Sequence, residues 1–181
     1  MKQSAGGAMR LKLIFTGFLV LGTVAGGVAQ AQERASIQAL ATVVSSLSVI
    51  GTNNLQFGTV TLGVSKSVDK SDIGFAGEWT ITGTAAAELS VSLGLPTVLR
   101  TTDTLSTMPI SFRATDASYG NNAANQTSPL GVMNPNGPSV ERIGAGGQML
   151  IWIGGVVYPS ISQTGGNYSA EIMLTVAYTG N

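Results

Sequence analysis

Apolar side chains recur at every second position along this chain, and that spacing admits pleated sheet and little else. Leu89, Val91, Leu93 and Leu95 alternate with Ser90, Ser92 and Gly94 until Pro96 ends the run. Ala170, Ile172, Leu174, Val176 and Tyr178 alternate in the same way with Glu171, Met173, Thr175 and Ala177. A period of two sends successive side chains to opposite faces of a strand, whereas a helix needs a period near 3.6, and none is found after residue 31. The chain is rich in Gly, Thr, Ser and Val and poor in Lys and Glu, a composition that favours strands joined by turns.

Other segments read the same way. Ala35, Ile37, Ala39, Ala41, Val43, Leu47 and Val49 share one face of a long strand, or of two strands bent near Ser45. Asn53 and Asn54 mark a turn, and Leu55, Phe57 and Thr59 then alternate with Gln56 and Gly58. Trp79 and Ile81, with Phe75 as a further candidate, predict a strand ending at Gly83, and Ile110 and Phe112 another entered through Pro109. Residues 148–153 form an apolar strand, Gly154 and Gly155 read as a hairpin turn, and residues 156–159 return from it. Between Asp116 and Gly147 the residues become Asn, Gly, Ser and Pro, which predicts an irregular surface loop or one holding a short strand near residues 130–133. About eight short strands at this spacing predict an all-β fold, an antiparallel β-sandwich, with a closed barrel as the architectural alternative.

The start of the chain has a different character. Lys2, Arg10 and Lys12 precede an apolar stretch over residues 13–21, and Ala29-Gln30-Ala31 supplies small residues for a peptidase. Residues 1–31 therefore read as a signal peptide, with an uncleaved anchor as the competing reading, and residues 32–181 as a single domain secreted or displayed at the cell surface. Those 150 residues are enough to build a core without staples. They hold six basic against nine acidic residues, a net charge of −3. Such a surface lacks the clustered positive charge that phosphate backbones require, so nucleic acid is not an expected partner, nor is a stable membrane span expected in the mature chain.

Cysteine and histidine are both absent. Disulfides, thiolate metal sites, cysteine nucleophiles and every imidazole base or ligand are therefore excluded. Of the remaining candidates, Ser67-Val68-Asp69-Lys70 matches a Ser-x-x-Lys nucleophile pattern but lacks the accompanying Lys-Thr-Gly. Glu78, Glu88, Asp103, Asp116, Glu141 and Glu171 could in principle supply a hydrolytic carboxylate pair, and Asp69 with Asp72 a calcium ligand set. Nearly all of these carboxylates fall at strand edges or in loops, where they stay solvated, and no loop supplies the regular ladder of oxygen ligands that calcium needs. The expectation is a protein that is not an enzyme and carries no cofactor.

Three pieces carry a family resemblance: Leu55-Gln56-Phe57-Gly58-Thr59-Val60, Ile151-Trp152-Ile153-Gly154-Gly155, and the ending from Gly166-Asn167-Tyr168 through Tyr178. Together they resemble domain of unknown function forty-four-oh-two, exported bacterial single-domain proteins similar to spore-coat-protein-U-like domains and archaic chaperone-usher pilins. The resemblance implies an immunoglobulin-like, pilin-like β-sandwich and a structural or adhesive role, with Phe57, Gly58, Trp152, Gly155, Tyr168 and Tyr178 as structural positions. It brings no catalytic residue.

One segment suits association. Ala35, Ile37, Ala39, Ala41 and Val43 place small apolar groups at every second position just after the cleavage site, as a strand donated to a neighbouring subunit requires. The same residues would serve equally as the protein's own first strand, or as a swapped one. Two functions follow as expectations: a fimbria-like surface subunit that self-associates by strand pairing, or a monomeric secreted module that binds glycan or cell wall through residues 116–147.

Overall fold

The computed structural model describes Gln38 and residues 46–180. Among the described residues, thirteen strands and one short 3-10 helix make up the regular structure. The first strands are β1 (Ser48–Asn53), β2 (Lys66–Val68), β3 (Gly77–Thr82) and β4 (Glu88–Gly94). Next come β5 (Val98–Thr101), β6 (Thr107–Ser111), β7 (Ala117–Gly120) and, after the 3-10 turn Ala123–Asn125, β8 (Gly131–Met133). The chain ends with β9 (Ser139–Arg142), β10 (Gln148–Ile153), β11 (Gly155–Val157), β12 (Tyr168–Ser169) and β13 (Met173–Tyr178). The fold is all-β, and every ladder is antiparallel.

The strands form three sheets, ordered β1-β3-β10-β7-β8, β12-β5-β6-β11-β2 and β13-β4-β9. Leu95, Pro96 and Thr97 separate β4 from β5, and residues 170–172 separate β12 from β13, while the partnership of these two lines of chain is kept on both sides of the break. The second and third sheets thus continue one another. Pro96 has no N–H to give a ladder, so the interruption falls where the residue demands it.

Alternation decides which side chains enter the core. Ile81 of β3, Leu89 and Val91 of β4, and Met149, Ile151 and Ile153 of β10 meet between the first and third sheets, joined by Ala117, Met133 and Ile143. Leu174, Val176 and Tyr178 of β13 pack against them, as the period of two predicts. A smaller cluster of Met108, Ile110 and Val157 lies on the second sheet, flanked by Phe57, Val60, Leu99, Phe112 and Tyr168. At about 1.5–3 kcal/mol for each fully buried aliphatic side chain, these clusters are the main favourable term in a chain without cross-links.

Trp152 is fully buried, yet it belongs to neither cluster. It alternates with Ile151 and Ile153 and so lies on the opposite face of β10. There its ring sits against Gly120, where a Cβ would come within 2.8 Å of it, and Nε1 donates to Glu78 at 2.9 Å. Gln126, a buried polar residue, donates from Nε2 to the Lys70 carbonyl at 3.0 Å.

Several sequence expectations need correction. Gly154-Gly155 is no hairpin turn: β10 pairs with β3 and β7, whereas β11 pairs with β2 and β6, so the strand passes from the first sheet to the second. A Cβ at Gly154 would stand 2.3 Å from the Val68 carbonyl oxygen, and this close backbone approach is what the glycine permits. Residues 55–59 form no strand, because Gly58 takes φ +60 and turns the chain out of the extended region. Phe75 also lies outside β3. Residues 116–147 are not one irregular loop: they carry β7, β8 and β9, of which β8 is the short strand expected near residues 130–133.

Candidate functional site, an apolar groove between two sheet edges

The order of strands leaves β1 at one edge of the first sheet and β12 at one edge of the second. Between them runs a groove of about 940 Å³. One wall is the end of β1 and the stretch that follows it, with Leu55, Phe57, Val60 and Leu62 on its surface; the other is residues 163–172. Leu99, Met108, Ile110, Ile153 and Val157 form an apolar floor, with Trp79 beside it.

Each wall is tied down without belonging to a long ladder. Asn53 donates from Nδ2 to the Ala76 carbonyl at 2.7 Å, and the Gln56 N–H donates to the Phe75 carbonyl at 2.8 Å. Lys66 donates from Nζ to the Thr59 carbonyl at 2.9 Å, next to the left-handed turn at Gly58. On the opposite wall the Tyr168 hydroxyl donates to the Thr164 carbonyl and accepts from Gln163 Nε2, both at 2.6 Å, and Gln163 also donates to the Thr107 carbonyl at 3.0 Å. Ala170, Glu171 and Ile172 lie between β12 and β13, outside both ladders. Backbone groups outside a ladder beside an apolar trough are what a strand added at a sheet edge pairs with.

Of the structural positions predicted from the sequence, Phe57, Gly58 and Tyr168 line the groove. Trp152, Gly155 and Tyr178 lie elsewhere. Gly155 is buried in β11 with the Phe112 ring 3.1 Å from where its Cβ would stand. Tyr178 accepts from the Thr84 N–H at 2.7 Å and donates to the Ser46 carbonyl at 3.3 Å, fixing the chain just before β1. The predicted donor residues Ala35, Ile37, Ala39, Ala41 and Val43 lie outside the described residues.

The polar candidates do not assemble into a reaction centre. Glu78 serves Trp152 and Thr52, and Glu88 serves Arg142 at 3.5 Å and Thr179 at 2.8 Å. Asp103 holds the turn between β5 and β6 through Thr101 and Leu105, which keep its carboxyl below the usual aspartate value, and Asp116 accepts from the Arg113 N–H. Glu141 accepts from the Tyr119 hydroxyl and raises the pKa of that phenol. Ser67 lies on β2 and Lys70 in the turn after it, so the Ser-x-x-Lys pattern lacks the helix it would need. Asp69 accepts from the hydroxyl and N–H of Ser71, bonds that lower its pKa, while Asp72 accepts from the Asp69 N–H. These two carboxylates close a loop, and among the described residues no group of three His, Cys, Asp or Glu could hold a metal ion.

The floor of the groove was not foreseen from the sequence. Its residues come from four strands, β5, β6, β10 and β11, and the local patterns at Ile110, at residues 148–153 and at residues 156–159 gave strands but not their convergence. No family model and no curated protein matches this chain.

Proposed function

We propose that this protein is an exported structural or adhesive surface subunit, pilin-like, that assembles by β-strand pairing, with residues 32–43 of one copy laid into the groove of another. The observation that carries this reading is the match between two patterns. The groove offers an apolar floor under two stretches of unladdered wall, and residues 35–43 offer small apolar side chains at every second position. Such a segment presents one face to the floor while its backbone pairs with a wall. Full burial of Ile37 and Val43 would contribute about 1.5–3 kcal/mol each, and each alanine methyl about 0.8 kcal/mol. Ile37 is therefore the principal anchor.

The place where the segment joins the domain supports donation to a neighbour. Tyr178 holds Ser46 at the start of β1, whereas the groove takes up the far end of that strand from Gly51 onward. A segment donated to a neighbour's groove is a heterologous contact, which extends into a chain of subunits. The resemblance of the Phe57, Trp152 and Tyr168 segments to exported pilin-like domains points the same way. A glycan-binding module would rest on an exposed aromatic in residues 116–147, and Tyr119 instead packs against the main core.

The test is to purify residues 32–181 and a form lacking residues 32–41 and to measure their mass by light scattering across a concentration series. The proposal expects the longer form to associate and the shorter to remain a folded single copy. A longer form that stays monomeric, with a shorter form that unfolds, would mean that the segment packs in its own domain.

A further inference from the structure

Three loops meet at the end of the groove farthest from Ser46, and between them they expose four large apolar side chains. Leu62 and Val64 flank Gly63, which is left-handed at φ +67 and lies so close to Ile161 that a Cβ there would stand 2.7 Å from Ile161 Cγ2. The Gly63 N–H donates to the Ser160 carbonyl at 3.2 Å, and the Ser160 N–H to Gln163 Oε1 at 3.3 Å. Gln163 in turn donates to the Thr107 carbonyl, just past the turn that carries Leu105. Leu62 and Val64 are 55% and 56% exposed, and Leu105 and Ile161 are each 85% exposed. Large apolar groups gathered on loops that hydrogen bonds hold in place are the mark of an interaction surface. Leu62 and Gln163 also line the groove, so the patch is continuous with its mouth.

Chain length determines what lies against this mouth. Under the strand donation proposed above, on which this inference rests, only residues 44 and 45 separate Val43 in the groove from Ser46, which Tyr178 ties to the donor's own body. At roughly 3.3–3.6 Å for each residue, Ser46 is held within about 11 Å of the groove whatever path the two residues take. The donor's body is therefore brought against one mouth. The mouth at Gly51 lies beside the acceptor's own β1, where its own preceding chain arrives, which leaves the mouth at Leu62 and Gln163.

Around Ser46 the donor presents the loops of residues 83–87 and 143–147. The Gly83 N–H donates to the Gly147 carbonyl at 3.0 Å, and the Thr84 N–H donates to the same Tyr178 hydroxyl that holds Ser46. Their exposed residues are Thr84, Ala85, Ala86, Ala145 and Gly146, all small and uncharged. Residues 61–64 and 159–167 carry no charge either, and Asp103 in the third loop is engaged by Thr101 and the Leu105 N–H. The two ends can close on one another without burying an unpaired ion.

We propose that Leu62, Val64, Leu105 and Ile161 dock the body of the donating copy at its 83–87 and 143–147 loops, so that subunits touch end to end as well as through the donated strand. Three of the five donor side chains are alanine, so the segment alone brings little apolar area per residue to the contact.

The test uses the full chain, exported and processed by a bacterial host, as wild type, Leu105→Ser/Ile161→Ser, Ala145→Glu and Ile73→Ser. Ile73 is 71% exposed in the turn after β2, outside both sets of loops, and is the control. Thermal unfolding by circular dichroism should place every variant within about 2 °C of wild type, because the replaced groups are exposed. Should the double variant melt lower, Leu105→Ser alone takes its place. Light-scattering mass against concentration should show association weakened roughly tenfold or more by Leu105→Ser/Ile161→Ser and by Ala145→Glu, with Ile73→Ser within about twofold of wild type. A patch variant or an Ala145→Glu protein that associates as wild type does would overturn the docking contact. So would wild type that sediments with phosphatidylcholine vesicles while the patch variant does not and both associate equally, since the patch then serves a membrane. If either happens while deletion of residues 32–41 abolishes association, strand donation stands and only the docking contact falls; a wild type that is monomeric throughout removes both.

Discussion

Replacing Gly154 with alanine tests the passage of the chain from the first sheet to the second. The added methyl would lie 2.3 Å from the Val68 carbonyl oxygen, 2.8 Å from the Lys70 nitrogen and 2.9 Å from the Asp69 carbonyl carbon, where ordinary contact begins at 3.4 Å. All three are backbone atoms, so no side chain can rotate away. Relief requires β2 or the β10 to β11 junction to move by about 1 Å, at the upper end of the ~1–3 kcal/mol typical of overpacking. The Gly154 N–H also donates to the Asp116 carbonyl at 2.8 Å, and straining that bond adds about 1 kcal/mol. The smaller entropy of the unfolded alanine chain returns about 0.4–1 kcal/mol. A net loss of about 3 kcal/mol corresponds to a fall in Tm of roughly 6–12 °C for a domain of this size. Gly146→Ala is the matched control, since nothing lies within 4 Å of its Cβ position and its backbone is outside the left-handed region. Thermal unfolding followed by circular dichroism should show Gly154→Ala well below wild type and Gly146→Ala level with it or slightly above. A Gly154→Ala protein melting within about 2 °C of wild type would refute the account of the crossing.

Ile151→Ala, at a position with no exposed surface in the main core, should cost about 2–5 kcal/mol in urea unfolding with an unchanged m-value. Trp152→Phe removes the 2.9 Å bond to Glu78 and should cost about 2 kcal/mol, whereas Glu78→Gln, which keeps an acceptor for the indole, should cost less. Asp69 has a lowered pKa through its bonds to Ser71, so the stability it lends is present above the ordinary value of 3.8 and is lost as pH falls through the lower folded value. Asp69→Asn should therefore reduce stability at neutral pH and flatten the acid limb of a Tm against pH curve; an unchanged limb would show that the loop contributes nothing.

The sequence declared those strands whose burial is one-sided and long enough to repeat. In β4, Leu89 and Val91 are sealed while Ser90 and Ser92 are half-buried, and the alternation of β13 follows the same rule. β2 and β5 escaped because Lys66-Ser67-Val68 and Val98-Leu99-Arg100-Thr101 are too short to show a period, and their pairing is set by partners far along the chain. Leu55, Phe57 and Thr59 have the period but not the strand, since a left-handed Gly58 overrides a two-residue rhythm. Gly154-Gly155 satisfies the chemistry of a hairpin turn, and only the proximity of Val68 and Asp69 decides otherwise. The groove was legible only in fragments. Phe57, Gly58 and Tyr168 could be singled out locally, whereas Met108, Leu99 and Val157 become a floor only once three segments have folded together.

The two tryptophans occupy such different surroundings that the protein carries its own pair of optical gauges. Trp152 is sealed beneath Gly120 and bonded to Glu78, so its emission should shift only when the fold itself is lost. Trp79 stands in the side of the groove, half-buried, and its emission should move to the blue as a strand slides over it. Replacing either indole with phenylalanine would leave a single-channel instrument, one reading whether the domain is intact and the other whether its trough is filled.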